Sequence, residues 1–278
     1  MDENKVIRDF GDEWERFDFL DEEKLRALEE QFGKYIAPLP ESIKSQHNLI
    51  IADFGAGTGR WSYFLRNFAS RLYIVEPSEK AFKVVKSRFG NEEKIVLLNE
   101  SVESNVIPDS FLDLAVSLGV LHHIQDTNKA IKQVSQKIKP GGYFLGYLYY
   151  ALENKSRLYR VVWRISDFLR KLISQSPKPI KLAVSDLIAL FIYWPLARLS
   201  RVFTSLNLPS SAIPLHHYEN LSFHVMRNDA LDRFGTSLEN RFTREQITEM
   251  LKSSGFEESS IRYSEGEPFW TFSARKCF

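Results

Sequence analysis

The feature that most constrains this chain is residues 49–59, where an apolar run ends in an acid and three glycines follow at every second position. A short apolar run bounded by turn residues is typical of a buried strand, and amphipathic residues 60–68 predict a helix after it. Because glycine has no Cβ, Gly55, Gly57 and Gly59 can adopt positive φ and let a ligand lie against the backbone. The free amides of the following helix face the same place. The pattern predicts a nucleotide-type ligand after the first strand.

The acid next to the glycine turn narrows the kind of ligand. Dinucleotide enzymes usually carry G-x-G-x-x-G, with a pyrophosphate at the helix start. Here the spacing is G-x-G-x-G, and Asp53 precedes the first glycine by two residues. A carboxylate at that position repels a pyrophosphate and suits a ligand with an amine. A nicotinamide dehydrogenase is therefore disfavoured.

Composition limits the class of protein. With 278 residues and 44% hydrophobic content, the chain can form one large domain, or one domain plus an insertion. The formal charge of +1 gives no general argument for nucleic acid, and the single Cys277 excludes an intramolecular disulfide. The first residues do not resemble a signal peptide, and the longest apolar stretch, 187–197, is shorter than the roughly 20 residues that span a membrane. We expect a soluble, cytoplasmic protein.

Strands alternate with helices along residues 48–150, which predicts a parallel, doubly wound sheet. The later strands are expected at 71–75, 94–98, 111–117 and 143–149, with a closing hairpin at 261–264 and 269–274. Glu76 follows the second strand, about 20 residues past the first glycine, where a carboxylate commonly holds a ribose diol. Helix caps are predicted at Ser78, at Asp126 or Thr127, and at Thr243, and residues 139–142 are predicted to end the helix before the fifth strand.

Two segments flank or interrupt this alternation. Residues 1–47 contain a helical run at 21–35, which either covers the sheet edge or belongs to a lid that closes over the ligand with Trp14 and Arg16. Residues 155–204 hold ten Lys or Arg against two Asp, interleaved with aromatic residues, and predict a helical insertion that Pro195 kinks. Three uses of the insertion stay open: a lid over an acceptor pocket, a solvated charged face over a local helical core, and, less favoured, contact with a membrane surface.

Taken together, several stretches resemble the class I S-adenosylmethionine-dependent methyltransferases. The matching residues are 53–59, 75–78, 117–124, 138–142 and 251–256, which fall in the family's order. The resemblance covers about 48–150 plus 240–276, and the amino-terminal stretch and the insertion are similar to a bacterial subgroup that acts on small molecules. It implies an α/β, Rossmann-like, doubly wound seven-stranded sheet whose last strand is antiparallel, with a helical insertion. The expected domains are an N-terminal helical lid (1–47), the donor-binding core (48–150), a helical cap (151–215) and the completion of the core (216–278).

The resemblance also implies residue roles for binding the methyl donor. The glycine turn lines the donor's methionine and ribose, Asp53 lies near its amine, and Glu76 takes the ribose hydroxyls. The adenine position falls on Ser101 and Val102, where the family usually has an Asp, so Glu100 or Glu103 substitutes. The complete set of expected donor contacts is Asp53, Gly55, Gly57, Gly59, Glu76, Pro77, Ser101, Val102, Leu118, Trp14 and Arg60; Arg60 alternatively holds a carboxylate.

The catalytic assignments concern the methyl acceptor. Methyl transfer is an in-line displacement, so a base is needed only when the acceptor keeps a proton, as a hydroxyl does. Candidates for that base are His123, His217 and Tyr218, with His122 and His216 as neighbours, and a packing role is favoured for His122 and His123. A salt-bridged helix surface is favoured for Arg227, Asp229, Asp232 and Arg233.

The expected function is methylation of a small-molecule acceptor by S-adenosyl-L-methionine, with S-adenosyl-L-homocysteine as product. No metal and no nucleic-acid partner are expected. A methyltransferase-like, non-catalytic subunit that serves a partner protein is the alternative. The atom methylated and the oligomeric state stay open.

Overall fold

The computed structural model describes residues 22–104, 106–153, 156–210, 213–236, 238–264 and 269–278. Contacts divide the chain into two units, which we call unit 1 (Met1–Asn154 with Leu238–Phe278) and unit 2 (Lys155–Ser237). The second unit therefore extends beyond residue 215, where the sequence analysis placed the end of the insertion. Trp14 and Arg16 of the predicted lid lie outside the described residues.

The described strands form one seven-stranded sheet in unit 1 with the order β3-β2-β1-β4-β5-β7-β6. The strands are β1 Leu49–Phe54, β2 Ala69–Val75, β3 Ile95–Leu98, β4 Leu112–Leu118, β5 Ile138–Tyr149, β6 Arg262–Tyr263 and β7 Phe269–Arg275. Neighbouring strands from β3 to β5 pair in parallel, whereas β7 runs antiparallel to both β5 and β6. The predicted doubly wound sheet with an antiparallel last strand is confirmed.

The helices complete both units. In chain order they are α1 Glu22–Ile36, α2 Glu41–Lys44, α3 Ser62–Leu65, α4 Glu79–Phe89, α5 Thr127–Lys137, α6 Arg157–Ser174, α7 Lys178–Ile188, α8 Trp194–Ser205, α9 Phe223–Gly235 and α10 Arg244–Ser253. Helices α6 to α9 belong to unit 2, and the others belong to unit 1.

Apolar residues cover both faces of the sheet, as expected for parallel strands. One face packs Phe54, Phe144 and Phe272 against α5 and α10. On the other face, Phe32 and Tyr35 of α1 are buried among aromatic rings, and the Tyr35 ring lies 5.1 Å from Trp61 and 5.5 Å from Tyr147. The predicted amino-terminal helix therefore covers the sheet beside the glycine turn.

Of the predicted helix caps, those of α5 and α10 are confirmed and that of α4 is not. Asp126 caps α5 by accepting from the Lys129 amide at 2.9 Å. Thr243 caps α10 by accepting from the Gln246 amide at 3.1 Å, and the Thr243 amide donates to the Gln246 side chain, which completes a capping box. Ser78 occupies the N-cap position of α4, but its side chain makes no capping bond. The prediction of a side-chain cap at Ser78 is therefore wrong; its own amide donates to Glu76.

Two predicted boundaries are also wrong. The helix expected at 60–68 is only the four residues of α3, since turns occupy the flanking positions. Residues 139–142 do not form a turn that ends a helix, because α5 already ends at Lys137 and β5 begins at Ile138. The β4–β5 register shifts between Leu112 and Leu114, so the sheet absorbs this proline and these glycines as an irregularity.

Unit 2 contains one long helical run. Helix α7, a π turn at Ala189–Tyr193 and α8 continue without a break from Lys178 to Ser205. Pro195 lacks an amide hydrogen and its ring crowds the preceding turn, so the wider π turn directly before it accommodates the proline. A core of Ala189, Tyr193, Ala197, Tyr218, Met226, Ala230 and Phe234 joins this run to α9 and the residues before it.

The same run is long and apolar enough to cross a membrane by length and composition. It spans 28 residues, with a mean hydropathy of 1.6 in its most apolar window, and 28% of that window is buried in the protein. The uninterrupted apolar residues 187–197 are only the middle of this helix. In the structure the helix continues on both sides of them and does not end at Pro195, and this makes the apolar helix longer than the sequence predicts.

Candidate functional site

The glycine turn after β1 has the backbone that the sequence predicts. Gly55, Gly57 and Gly59 have φ of +75°, +58° and +81°. A Cβ on Gly55 would lie 2.5 Å from Cγ1 of Val120, and one on Gly59 would lie 2.4 Å from the Phe89 ring. Both the positive φ and the close approach therefore require glycine at these two positions.

Asp53 lies near the end of β1, directly before this turn, with only 2% of its surface exposed. The Ser62 hydroxyl donates to its Oδ2 at 2.6 Å. Burial raises the pKa of Asp53 to about 6, against the opposing effect of the Ser62 hydrogen bond. Above that pH the site holds a buried negative charge that a cationic group would stabilise.

Glu76 follows β2 and connects the second strand to the glycine turn. The Gly57 amide donates to its Oε2 and the Ser78 amide to its Oε1, both at 2.8 Å. Burial raises the pKa of Glu76 to about 7; the two amides lower it, and the charge of Asp53 raises it further. The Asn99 side-chain amide donates to the Glu76 carbonyl at 2.8 Å and fixes the backbone here. Each carboxylate oxygen accepts more than one hydrogen bond, so ligand hydroxyls are compatible with this geometry.

The predicted adenine region follows β3. Val102 is buried, whereas the Ser101 hydroxyl lies 3.0 Å from that of Ser104. Of the two proposed substitutes for the family's Asp, Glu100 accepts from the Val106 amide at 2.9 Å and Glu103 pairs with Lys129 at 3.0 Å. Both acids therefore already have partners in this structure.

Of the other predicted donor contacts, Arg60, Pro77 and Leu118 are among the described residues and lie around the same turn and sheet edge. The Arg60 guanidinium lies 4.5 Å above the Trp61 ring. Pro77 is half-buried between Glu76 and Ser78, and Leu118 is buried at the end of β4. The carboxyl ends of β1, β2 and β4 thus present Asp53, Glu76 and Leu118 at one edge of the sheet.

The histidine pair follows β4 in a short 3₁₀ turn. His123 Nδ1 donates to the Leu238 carbonyl at 2.7 Å, which sets the tautomer in which Nε2 is basic. His122 is fully buried and stacks on Tyr149 at 3.9 Å between ring centroids. Burial, with smaller contributions from His123 and Arg241, holds the pKa of His122 well below its usual range. His122 is therefore neutral and packed.

Sequence reasoning missed a charged pair beside these histidines. Arg241 donates through Nε to Glu239 Oε1 at 2.7 Å, and the Glu239 side chain is only 2% exposed. The Arg241 guanidinium also lies 5.0 Å above the Tyr149 ring and donates to the Tyr150 carbonyl at 3.2 Å. Arg241 is 91 positions from Tyr150, and no local pattern indicates that contact.

The other predicted catalytic residues belong to unit 2. His216–Tyr218 forms a 3₁₀ turn in which His216 is exposed, and His217 is its middle residue. The Tyr218 ring is buried in the unit 2 core, and its hydroxyl donates to Asp229 Oδ2 at 2.7 Å. The catalytic roles of His123, His217 and Tyr218 stay predictions.

The predicted surface charges pair in part, since Arg227 makes a bidentate contact with Asp186 at 2.7 and 2.8 Å. Within the described part of the chain, no three His, Cys, Asp or Glu side chains group as metal ligands.

Comparison with known proteins gives a consistent family. Residues 52–146 match the methyltransferase domain model. An uncharacterised methyltransferase of Geobacillus sp. (strain WCH70) is 25% identical over 125 residues, covering 43% of this chain and 58% of the relative. An uncharacterised methyltransferase of Bacillus subtilis (strain 168) is 26% identical over 136 residues, covering 48% and 52%. The chain thus spans about half the length of these curated relatives.

The fold agrees with that assignment. The crystal structure of an S-adenosylmethionine-dependent methyltransferase from Mesorhizobium loti superposes with a TM-score of 0.52 at 18% identity, covering 90% of this chain and all of the other. The matched domain contains the glycine turn and Glu76 and covers most of the first five strands, and the sheet has the seven strands and the antiparallel last strand that the resemblance implies. Residues 52–146 thus match a methyltransferase domain, and the chain has the Rossmann-like fold of an S-adenosylmethionine-dependent methyltransferase.

Proposed function

We propose that this chain binds S-adenosyl-L-methionine at the edge formed by Asp53, Glu76 and the glycine turn, and methylates a small molecule. The observation that carries the proposal is the pair of buried carboxylates with raised pKa values on either side of a turn that only glycine can form. Buried acids without a cationic partner are costly, and they are typical of ligand sites.

The residues fit the chemistry of this donor. Ionised Asp53 provides the charge that the donor's ammonium group requires, and ionised Glu76 provides acceptors for two ribose hydroxyls. The glycine turn leaves its backbone open to close approach. The donor supplies a methyl group on a sulfonium, whose thioether leaves without an acid. The contribution of the chain is therefore to orient the acceptor and to exclude water.

The acceptor side is assigned to the end of β4 and β5. His122, Tyr147 and Tyr149 form a group of rings there, with centroid distances of 3.9–5.9 Å, and Arg241 lies over Tyr149. Such a surface suits a flat or apolar molecule that carries an acidic group. His123, with Nε2 as its basic nitrogen, is the candidate base for a hydroxyl acceptor. We further propose a cytoplasmic location, in keeping with the single free cysteine.

Calorimetric titration with S-adenosylhomocysteine tests donor binding. We expect Asp53→Ala and Glu76→Ala each to weaken binding by about 100-fold or more, because each removes a charge-assisted contact in a buried site. Glu79→Ala is the matched control, since it removes an exposed carboxylate three residues after Glu76. Its affinity should stay within about twofold. Unchanged affinity in both site variants, with circular dichroism showing that they are folded, would refute the assignment.

A further inference from the structure

Helix α6 has its large apolar side chains on the outside of unit 2. Val161, Val162, Ile165, Phe168, Leu169 and Leu172 recur at helical spacing, and each is 47–63% exposed. Among the described side chains of α6, the fully buried ones are polar instead: Arg170 is 2% exposed and Ser174 is 1% exposed. A helix at the surface of a globular domain normally has the opposite orientation.

The run formed by α7, the π turn and α8 has the same inverted arrangement. Its buried positions recur every three or four residues and are small or polar, except for Tyr193: Lys181, Ser185, Ala189, Tyr193, Ala197 and Ser200. Its exposed positions are mostly large and apolar: Ile180, Leu187, Leu190, Phe191, Ile192, Trp194, Leu199 and Val202. Two consecutive helices thus leave an apolar face uncovered, which we call the outer face. Contiguous exposed apolar surface of this extent marks an interaction site.

The buried cations Arg170 and Lys181 of unit 2 have hydrogen-bond partners. The inward orientation of these polar side chains is therefore stable in the folded unit. Arg170 donates to Asp167 at 2.7 Å and to the Thr236 carbonyl at 2.8 Å. Lys181 donates to the Gly235 carbonyl at 3.3 Å, so two cations bind carbonyls at the carboxyl end of α9. Turning the apolar residues of α6 inward would break the Arg170 contacts. The apolar side chains of the outer face therefore stay exposed when unit 2 is folded.

Basic side chains flank the outer face. Arg157, Arg160, Arg164 and Lys171 of α6 are exposed and lie at spacings of three, four and seven residues, in a stripe alongside the apolar one. The acids of unit 2 whose side chains are described, Asp167, Asp186, Glu219 and Asp229, all accept hydrogen bonds within the unit. The exposed charge beside the outer face is thus positive.

We propose that the outer face of unit 2 binds the surface of an anionic lipid bilayer, with α6 and the α7–α8 run lying in the plane of the interface. An apolar stripe next to a cationic stripe is the arrangement of interfacial amphipathic helices. Exposed Trp194 and Tyr159 suit the headgroup level, where amphipathic rings collect. A second copy of unit 2 packed face to face would place the same basic stripe against itself, whereas anionic headgroups complement the stripe.

The helices lie on the bilayer and do not cross it. Only one side of the α7–α8 run is apolar, and its other side carries Lys181 and the Asp186–Arg227 ion pair. A spanning orientation would place these charges in hydrocarbon, at a high cost. The proposal concerns a surface outside the donor site and goes beyond methyl transfer.

Sedimentation of the full chain with vesicles tests the proposal. The probes are phosphatidylcholine vesicles, alone or with 30% phosphatidylglycerol, at low salt and at 0.5 M NaCl. We expect binding to the anionic vesicles at low salt to be about tenfold or more tighter than to neutral vesicles, and weaker at high salt. The double variant Phe168→Ser/Phe191→Ser should lose about tenfold in binding, because both rings are exposed and enter the lipid.

Variants that remove charge separate the electrostatic contribution to vesicle binding from the apolar one. Arg160→Gln/Arg164→Gln should weaken binding to anionic vesicles several-fold at low salt. The matched control is Arg71→Gln/Arg262→Gln, which removes two exposed charges from unit 1 and should bind as the wild type does.

No binding of the wild type at low salt, or equal binding by the double serine variant, would overturn the proposal. Light scattering that shows a dimer which Phe191→Ser dissociates, without vesicle binding, would assign the outer face to a second copy instead. A circular dichroism spectrum like that of the wild type shows that each variant is folded, and because no step uses a donor ligand, the result is independent of the donor assignment.

Discussion

The two units of this chain place their apolar and polar residues in opposite ways. Unit 1 buries large apolar side chains on both faces of its sheet, and it buries the carboxylates of Asp53 and Glu76 at the ends of β1 and β2. Unit 2 buries Arg170 and Lys181 and exposes Phe168 and Phe191. In unit 1 the two buried carboxylates support the proposed donor site. In unit 2 buried charge is part of the scaffold, and the exposed apolar residues are the feature that requires a partner.

The largest expected difference in unfolding free energy is between two Phe→Ala variants, one in each unit. Phe144→Ala removes a ring that is fully buried between Phe256 and Phe272, and should lower the free energy of unfolding by about 3–5 kcal/mol. Phe191→Ala removes a ring that is 69% exposed, and should change it by less than about 0.5 kcal/mol. Urea titration followed by circular dichroism measures both. A comparable loss for Phe191→Ala would show that the outer face is packed in solution.

Removing the buried charge of Asp53 should stabilise unit 1 at alkaline pH. The folded pKa of about 6 exceeds the usual 3.8, so ionisation of Asp53 destabilises the folded state fully above pH 6 and not at all below 3.8. Asp53→Asn should therefore raise the free energy of unfolding by up to about 3 kcal/mol at pH 8, and by about half as much at pH 5. Glu79→Gln, at an exposed site, should show no such pH-dependent gain. A destabilised Asp53→Asn protein at pH 8 would contradict this account.

In unit 2, a buried polar contact should contribute more to the free energy of unfolding than an exposed side chain of the same helix. Arg170→Met leaves Asp167 with only its contact to the exposed Lys171, and should cost about 2 kcal/mol of unfolding free energy. Arg164→Met, on the exposed side of the same helix, should cost less than about 0.5 kcal/mol. Thermal unfolding of the two variants compares them directly. If they behave alike, the interior of unit 2 does not depend on this charged contact.

The smallest effect is a pH dependence of donor affinity. Because burial raises the pKa of Glu76 to about 7, this carboxylate binds a proton below neutral pH in the free protein. Since ribose hydroxyls need the ionised form, the dissociation constant of S-adenosylhomocysteine should rise by up to about tenfold per pH unit below 7. Titrations in buffers of different ionisation enthalpy should show proton release on binding near pH 6.5. An affinity that is constant from pH 8 to pH 5.5 would mean that Glu76 does not contact the ligand.

The sequence identified most of the sheet and both carboxylates, because their signals are local. An apolar run that ends in Asp53, glycines at fixed spacing and an acid after the second strand can each be recognised within a few residues. The contacts of Ser62 with Asp53 and of Arg241 with Tyr149 and Tyr150 could not be predicted, since they depend on how the strands and loops meet. They appear only when the sheet and its loops are assembled.

The orientation of α6 was beyond sequence reasoning for a different reason. Its apolar positions predict an amphipathic helix, and that prediction is confirmed for the described residues from Val161 to Leu172. Periodicity shows that a helix has an apolar face, but not whether protein or another environment covers that face. Only the position of Arg170, donating to Thr236 at the end of α9, shows which side is inside.

The π turn at Ala189–Tyr193 has a consequence for how the outer face tolerates changes in chain length. A π turn holds one residue more than an α-helical turn, so it keeps the phase of α8 aligned with that of α7 despite the extra residue. Deleting one residue within this turn should leave a regular helix whose apolar stripes still point in one direction. The same deletion within α7 should rotate the preceding residues by about 100° and divide the outer face in two.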